Sequence, residues 1–105
     1  MRAGLGLSST HYVAIVEEAE GKAVGVWFPD LPGCFSAGDT LDEAMLNARE
    51  AIALYADALR ADDRAMPDAR TLTELRADPE AASDLATYMV ALIPFEPPAL
   101  RPAAE

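Results

Sequence analysis

Residues 27–44 read WFPDLPGCFSAGDTLDEA, and this stretch decides the fold. Pro29 and Pro32 carry no backbone N–H and therefore stop a β-ladder, while Gly33 permits the bend that follows them. Thr40 and Glu43 have the spacing of a capping box, in which each side chain accepts a hydrogen bond from the other residue's backbone N–H. The stretch therefore predicts a strand end, a turn, a short strand over 34–37 and the start of a helix.

Upstream of this stretch lie two apolar runs of β-forming residues. They are HYVAIV at 11–16 and AVGVWF at 23–28, and an acidic turn at 17–22 separates them. Two such runs joined by a short polar turn are typical of a β-hairpin. With the strand at 34–37, they predict a three-stranded antiparallel meander.

Downstream, apolar residues recur at three- and four-residue spacings and predict an amphipathic helix to about residue 60. The stripe consists of Leu41, Met45, Ala48, Ile52, Tyr55 and Leu59. Residues 61–70 are polar and predict a connection, 71–76 predict a short helical turn, and 86–93 predict the last strand. Several prolines after that strand forbid further regular structure.

The element order is therefore βββαβ. We predict an α+β fold that is a partial ribonuclease H-like layout, a sheet with one main helix packed on one face. A right-handed crossover would make the last strand parallel to a strand of the meander. Both alternations of the strands are apolar, so the second face also needs a cover. The segment 71–84 or another subunit supplies it, and we favour another subunit because the segment is short and acidic.

The domain boundaries follow from composition. We predict a flexible tail over 1–10, a folded domain over 11–95 and a proline-rich tail over 96–105. The opening residues lack the apolar region of a signal peptide, and no apolar run is long enough for a membrane span. A cytoplasmic protein is expected.

Charge and residue types limit the function. Eighteen acidic residues against eight Lys and Arg give a net charge of −10, which disfavours direct nucleic-acid binding and favours a basic protein partner. One cysteine, Cys34, and one histidine, His11, form neither an internal disulfide nor a structural zinc site, so no cofactor is expected. The strand centres carry no carboxylates for a metal ion, so we predict no enzymatic activity.

The run from Trp27 to Ala44, followed by Asn47 to Ala51 (NAREA), resembles the HicB family of antitoxins, and the resemblance covers about residues 11–95. It implies a ribonuclease H-like domain without nuclease activity that forms dimers or tetramers and blocks HicA, a small basic RNA-cleaving toxin. Many members of the family carry a second, DNA-binding domain. Because only ten residues follow Phe95, we expect neither that domain nor direct operator binding.

The candidate contact residues are of two kinds. For an acidic surface that binds the toxin we select Glu17, Glu18, Glu20 and Asp30, and for subunit packing we select Trp27 and Phe35. The alternative is that the acids are merely solvated and the aromatic residues belong to the core. Two other functions stay open. One is an orphan oligomeric domain with a structural or regulatory role and no active toxin partner, and the other is a residual hydrolase using Cys34 or a cryptic acid cluster.

Overall fold

The computed structural model describes residues 10–96, and the two tails predicted at the termini lie largely outside that range. It contains four strands and three helices in the order βββαααβ. The strands are β1 (Thr10–Glu17), β2 (Val24–Trp27), β3 (Phe35–Gly38) and β4 (Met89–Phe95). The helices are α1 (Leu41–Ala61), α2 (Leu72–Arg76) and α3 (Pro79–Thr87). The α+β class, the meander and the main helix are therefore confirmed.

All four strands form one antiparallel sheet in the order β3-β2-β1-β4. The predicted parallel pairing of the last strand is wrong. Strand β3 ends next to the β1–β2 turn, and α1 crosses one face of the sheet from there to the opposite end. Helices α2 and α3 then cross the other face and return the chain to the end with the β1–β2 turn. The chain thus enters β4 beside the β1–β2 turn, where Met89 pairs with Val16, and runs antiparallel to β1. The ribonuclease H-like character of the fold stays a prediction.

Helix α1 begins where the capping residues predict. The Thr40 hydroxyl accepts a hydrogen bond from the Glu43 N–H at 3.1 Å. The Glu43 carboxylate bonds to the N–H of Asp39 at 2.6 Å, one residue before the predicted partner. The Glu43 N–H is one of the backbone donors that the first turn of a helix leaves without partners, and the Thr40 hydroxyl satisfies it.

The first face of the sheet packs against α1 and holds the larger apolar cluster. Alternate residues of β1 point to this face, as the sequence predicts. From β1 and α1 the buried members are Tyr12, Ala14, Val16, Ala44, Ala48 and Ile52. The buried residues of α1 include several alanines, whose small side chains let the helix pack close to the sheet. The buried stripe of α1 is therefore displaced slightly to one side of the predicted apolar stripe.

The second face is covered by α2 and α3, and this corrects the preference for another subunit. Val13 and Ile15 of β1 pack against Leu75 of α2 and against Ala81 and Leu85 of α3. Helix α3 was not predicted from the sequence, and residue 86, the predicted start of the last strand, is helical. Asp78 caps α3 and Pro79 is its first residue, and this pair is a recognisable helix start.

Candidate protein-binding surface

The acidic turn between β1 and β2 is the first part of the candidate site. Gly21 has a positive φ of 78°, and the Lys22 N–H donates to the Ala19 carbonyl at 3.1 Å, so the turn is tight. Three predicted contact residues, Glu17, Glu18 and Glu20, are exposed here. Glu17 and Glu18 line a groove of about 360 Å³ between this turn and the α3–β4 junction.

Tyr88, at the end of α3, lines the same groove and contacts Trp27 of β2. The two rings lie edge to face, with centroids 5.3 Å apart and planes at 77°. Trp27 thus packs on its own chain and is half-buried, whereas Phe35, its cross-strand neighbour on β3, is 71% exposed. Whether either residue packs between subunits stays a prediction.

A second group of acids lies on the other side of Trp27. A groove of about 200 Å³ is lined there by Trp27, Arg70, Asp78, Glu80 and Asp84. Three carboxylates against one guanidinium leave the groove acidic. The acidic-aromatic surface therefore has Trp27, Tyr88 and Phe35 at its centre and carboxylates on two sides, namely Glu17, Glu18, Glu80 and Asp84.

Tyr88 and the acids of α3 were not among the residues predicted from the sequence. Tyr88 was placed inside a strand, and without α3 its helix-borne acids could not be assigned to any face. The Asp-Pro pair at 78–79 is the signal that would have revealed the helix. The proximity of Tyr88 to Trp27 has no local signal, because it depends on how β4 enters the sheet.

Asp30, the fourth candidate contact residue, forms an ion pair within the chain. Its side chain is 7% exposed and accepts from the Arg70 backbone N–H and from Arg70 Nε, both at 2.8 Å. Arg70 also donates to Asp78 at 2.9 Å, so one guanidinium joins the turn after β2 to the start of α3. This network positions the helices of the second face, and Asp30 does not belong to the exposed acids.

The hydrogen bonds of this network affect two pKa values. Bonds to Asp78 and Asp30 raise the pKa of Arg70 above its usual range. The bond from Arg70, together with the Glu80 backbone N–H, holds the pKa of Asp78 below its ordinary value of 3.8. Both residues therefore stay charged at neutral pH.

The residues weighed for catalysis lie elsewhere. Cys34 is buried, as expected of a small hydrophobe, and desolvation raises the pKa of its thiol. His11 is exposed at the start of β1. Within residues 10–96 no group of three or more His, Cys, Asp or Glu side chains is arranged to hold a metal ion. No helix in that range has the length and apolar composition needed to cross a bilayer.

Exposed aromatic residues beside charged groups are the composition of a protein-binding surface. The class of protein is given by the family model described as "HicB_like antitoxin of bacterial toxin-antitoxin system", which matches residues 12–105. The chain belongs to this antitoxin family. The resemblance carried by residues 27–51 is thereby confirmed.

Relatives by sequence include an uncharacterized 14.9 kDa protein from the rep-hol intergenic region of Haemophilus phage HP1. It is 41% identical over 77 residues, which are 73% of this chain and 56% of the phage protein. A UPF0150 protein of Thermoplasma acidophilum is 38% identical over 56 residues, 53% of this chain and 81% of that protein.

Solved structures show the same fold. The antitoxin HicB of Burkholderia pseudomallei is 33% identical, with a TM-score of 0.64 over 79% of this chain and 61% of that chain. Its N-terminal domain alone gives 0.65, at the same identity, and is covered to 94%. A chain of the HicA3 and HicB3 toxin-antitoxin complex has a TM-score of 0.66 at 24% identity, over 83% of this chain and 99% of that chain. The present chain thus spans less than two thirds of the phage relative and of the whole Burkholderia antitoxin.

Proposed function

We propose that this chain is an antitoxin that binds and neutralises a small basic RNA-cleaving toxin of the HicA type. The observation that carries the proposal is the acidic-aromatic surface on a domain of the HicB-like family. A net charge of −10 suits a basic protein and repels nucleic acid. The toxin is inhibited because the bound antitoxin occludes its RNA-binding surface, and no catalytic step is involved.

The two parts of the surface have different tasks. The carboxylates of Glu17, Glu18, Glu80 and Asp84 attract the basic toxin and raise the rate of association. Phe35 is the aromatic residue with the most exposed side chain among the described residues, and it supplies apolar contact area at the centre. Tyr88 holds Trp27 in place, so the centre of the surface is preorganised.

The first experiment is co-expression of the chain with the protein encoded by the neighbouring reading frame. We expect growth arrest by the toxin alone, rescue by the antitoxin, and co-purification of the two. A neighbouring protein that neither arrests growth nor co-purifies would favour the orphan oligomeric domain instead.

The second experiment locates the contact surface by charge reversal. Glu17→Lys combined with Glu80→Lys should weaken toxin binding by roughly tenfold or more and reduce its salt dependence. The matched control is Asp42→Lys with Asp62→Lys, which changes the net charge equally at the two ends of α1. Equal losses in the two double variants would show that overall charge, and not this surface, drives binding.

The third experiment tests the aromatic centre. Phe35→Ala should reduce affinity through faster dissociation, because an apolar contact is lost while the charges stay in place. The exposed position leaves the fold stable. An unchanged dissociation rate would remove Phe35 from the binding surface.

A further inference from the structure

Strand β2 contains a glycine, Gly25, that nothing in the chain requires. Glycine weakens a strand, and the other three glycines within residues 10–96 have evident reasons. Gly21 and Gly33 have φ angles of 78° and 84°, which side chains rarely adopt, and a Cβ atom on Gly38 would lie 2.5 Å from the Ala44 nitrogen of α1. Gly25 has no positive φ, and a Cβ atom there would meet no heavy atom within 4 Å apart from its chain neighbours.

Gly25 does not mark an irregularity of the sheet either. It pairs with Glu17 of β1 and with Ala37 of β3, and the neighbouring pairs continue both ladders without a skipped residue. A glycine inside a strand that forms neither a bulge nor a tight contact is typical of a place where a ligand or a partner approaches the backbone closely. The open side of Gly25 is therefore a candidate binding site.

Gly25 forms the floor of a notch on the second face of the sheet, the face that α2 and α3 cover in part. Trp27 packs with the apolar cluster of this face, and strand alternation places Gly25 and its two cross-strand partners on the same side. Ala37 adds only a methyl group to the floor and is exposed. Trp27 and its cross-strand neighbour Phe35 form a wall about 7 Å along the strands, and Glu17 stands one strand spacing, about 4.8 Å, to the side. We call the depression bounded by these residues the Gly25 notch.

The fold holds one wall of the notch in place and leaves its charge unneutralised. Tyr88 packs edge to face on the Trp27 ring, with the centroids 5.3 Å apart. Glu17 is exposed, and no ion pair within residues 10–96 engages its carboxylate. Arg70, on the other side of Trp27, is already bound to two aspartates of its own chain. The negative charge at the notch is thus available to a cation from another molecule.

We propose that the Gly25 notch receives an arginine side chain of a basic protein partner, an inference that rests on the proposed function. The planar guanidinium lies flat on the bare backbone at Gly25 and against the aromatic wall, where it gains cation–π attraction. Its fork of N–H donors pairs with the Glu17 carboxylate. The glycine is needed because any side chain at this position would occupy the place of the guanidinium.

Other side chains would use the notch less completely. A lysine ammonium is a strongly hydrated point charge, so it pairs with Glu17 without exploiting the flat floor. An apolar side chain would desolvate Glu17 without neutralising it, which costs free energy. The combination of a flat floor, an aromatic wall and a carboxylate therefore selects arginine.

Trp27 is the single tryptophan of the sequence, so its fluorescence reports directly on the notch. An oligo-arginine peptide should change this fluorescence with an affinity roughly tenfold higher than that of an oligo-lysine peptide of equal length. Gly25→Val fills the floor and should bring both peptides to the same, weaker affinity. Ala58→Val, at an exposed position of α1, is the control and should leave the difference intact. Equal affinity of the two peptides for the wild-type chain, or no saturable response, would overturn the proposal.

A second pair of variants leaves the packing untouched. Glu17→Gln and Glu18→Gln remove the same charge from two adjacent exposed residues, but only Glu17 borders the notch. Glu17→Gln alone should abolish the preference for arginine over lysine, and an equal effect of both variants would show that general charge is responsible. Thermal unfolding checks the fold of every variant. Gly25→Val should be at least as stable as the wild-type chain, because valine favours strands and the site is open.

The toxin complex supplies the final test. The notch predicts one toxin arginine whose replacement by lysine weakens binding to the wild-type chain but has no further effect on binding to Gly25→Val. Equal toxin affinity of the wild-type chain and Gly25→Val would contradict the notch. A wild-type chain that does not bind the toxin would contradict the proposed function instead, and the peptide measurements on the chain alone then decide on the notch.

Discussion

Strand β1 contributes buried residues to both faces of the sheet, but the helices that cover the two faces differ in length and number. Tyr12, Ala14 and Val16 lie under one helix of 21 residues, whereas Val13 and Ile15 lie under two helices of five and nine residues. A long amphipathic helix propagates its own hydrogen bonds, while a five-residue helix depends on caps and tertiary contacts. One face therefore holds the larger core, and the other has a thinner cover with the proposed binding surface at its margin.

Local bonds hold the thinner cover in place. Thr71 and Glu74 form a complete capping box at the start of α2. Arg70 connects Asp30, after β2, to Asp78 at the cap of α3. These bonds fix the N-terminal ends of α2 and α3, the two helices that cover the second face. Leu75 is the most buried side chain of the cluster beneath them.

The largest effect is expected from Ile52→Ala. Ile52 is fully buried between α1 and the sheet, and removing its methyl and methylene groups leaves a cavity in the larger core. The free energy of unfolding should fall by about 3–4 kcal/mol. Denaturant unfolding measures it, with the exposed Leu54→Ala on the same helix as control.

Leu75→Ala should cost somewhat less, about 2–3 kcal/mol, because the second cluster is smaller and can relax. Its distinctive result is local. Amide hydrogen exchange should accelerate in residues 72–87 while α1 keeps its protection. Equal acceleration in α1 would mean that the two faces unfold as one unit.

Asp30→Asn should destabilise the chain by about 1–2 kcal/mol, because Arg70 loses a charged acceptor in a nearly buried site. Toxin affinity should stay unchanged at temperatures where the variant is folded. A loss of affinity like that of Glu17→Lys with Glu80→Lys would return Asp30 to the binding surface.

The smallest effect is the acid sensitivity contributed by Asp78. Its pKa is lowered in the folded chain, so it binds protons more weakly than in the unfolded chain. Its contribution to stability is therefore complete above the ordinary value of 3.8 and is lost as the pH falls through the lower folded pKa. Asp78→Asn should flatten this part of the curve of unfolding free energy against pH. An unaltered curve would contradict the role of the Arg70 bond.

Local signals in the sequence determined much of this molecule. Apolar runs of β-forming residues fixed β1 and β2, the prolines and Gly33 fixed the turn, and Thr40 fixed the start of α1, because each depends on neighbouring residues only. The same stretch of sequence also indicated the antitoxin family to which the chain belongs. The cluster of acids at 17–20 was also correctly found exposed, since a tight turn leaves its side chains in solvent.

Only the tertiary structure decided the direction of β4, the cover of the second face and the role of Asp30. An additional pass by α2 and α3 reversed the last strand, and no residue of β4 encodes its direction. Nothing in the local sequence distinguishes Asp30 from an exposed acid in a turn, because its partner Arg70 lies forty positions later in the chain. The contact between Tyr88 and Trp27 also depends on tertiary structure. A strand pattern indicates which residues share a face, but it does not indicate which distant side chains pack against that face.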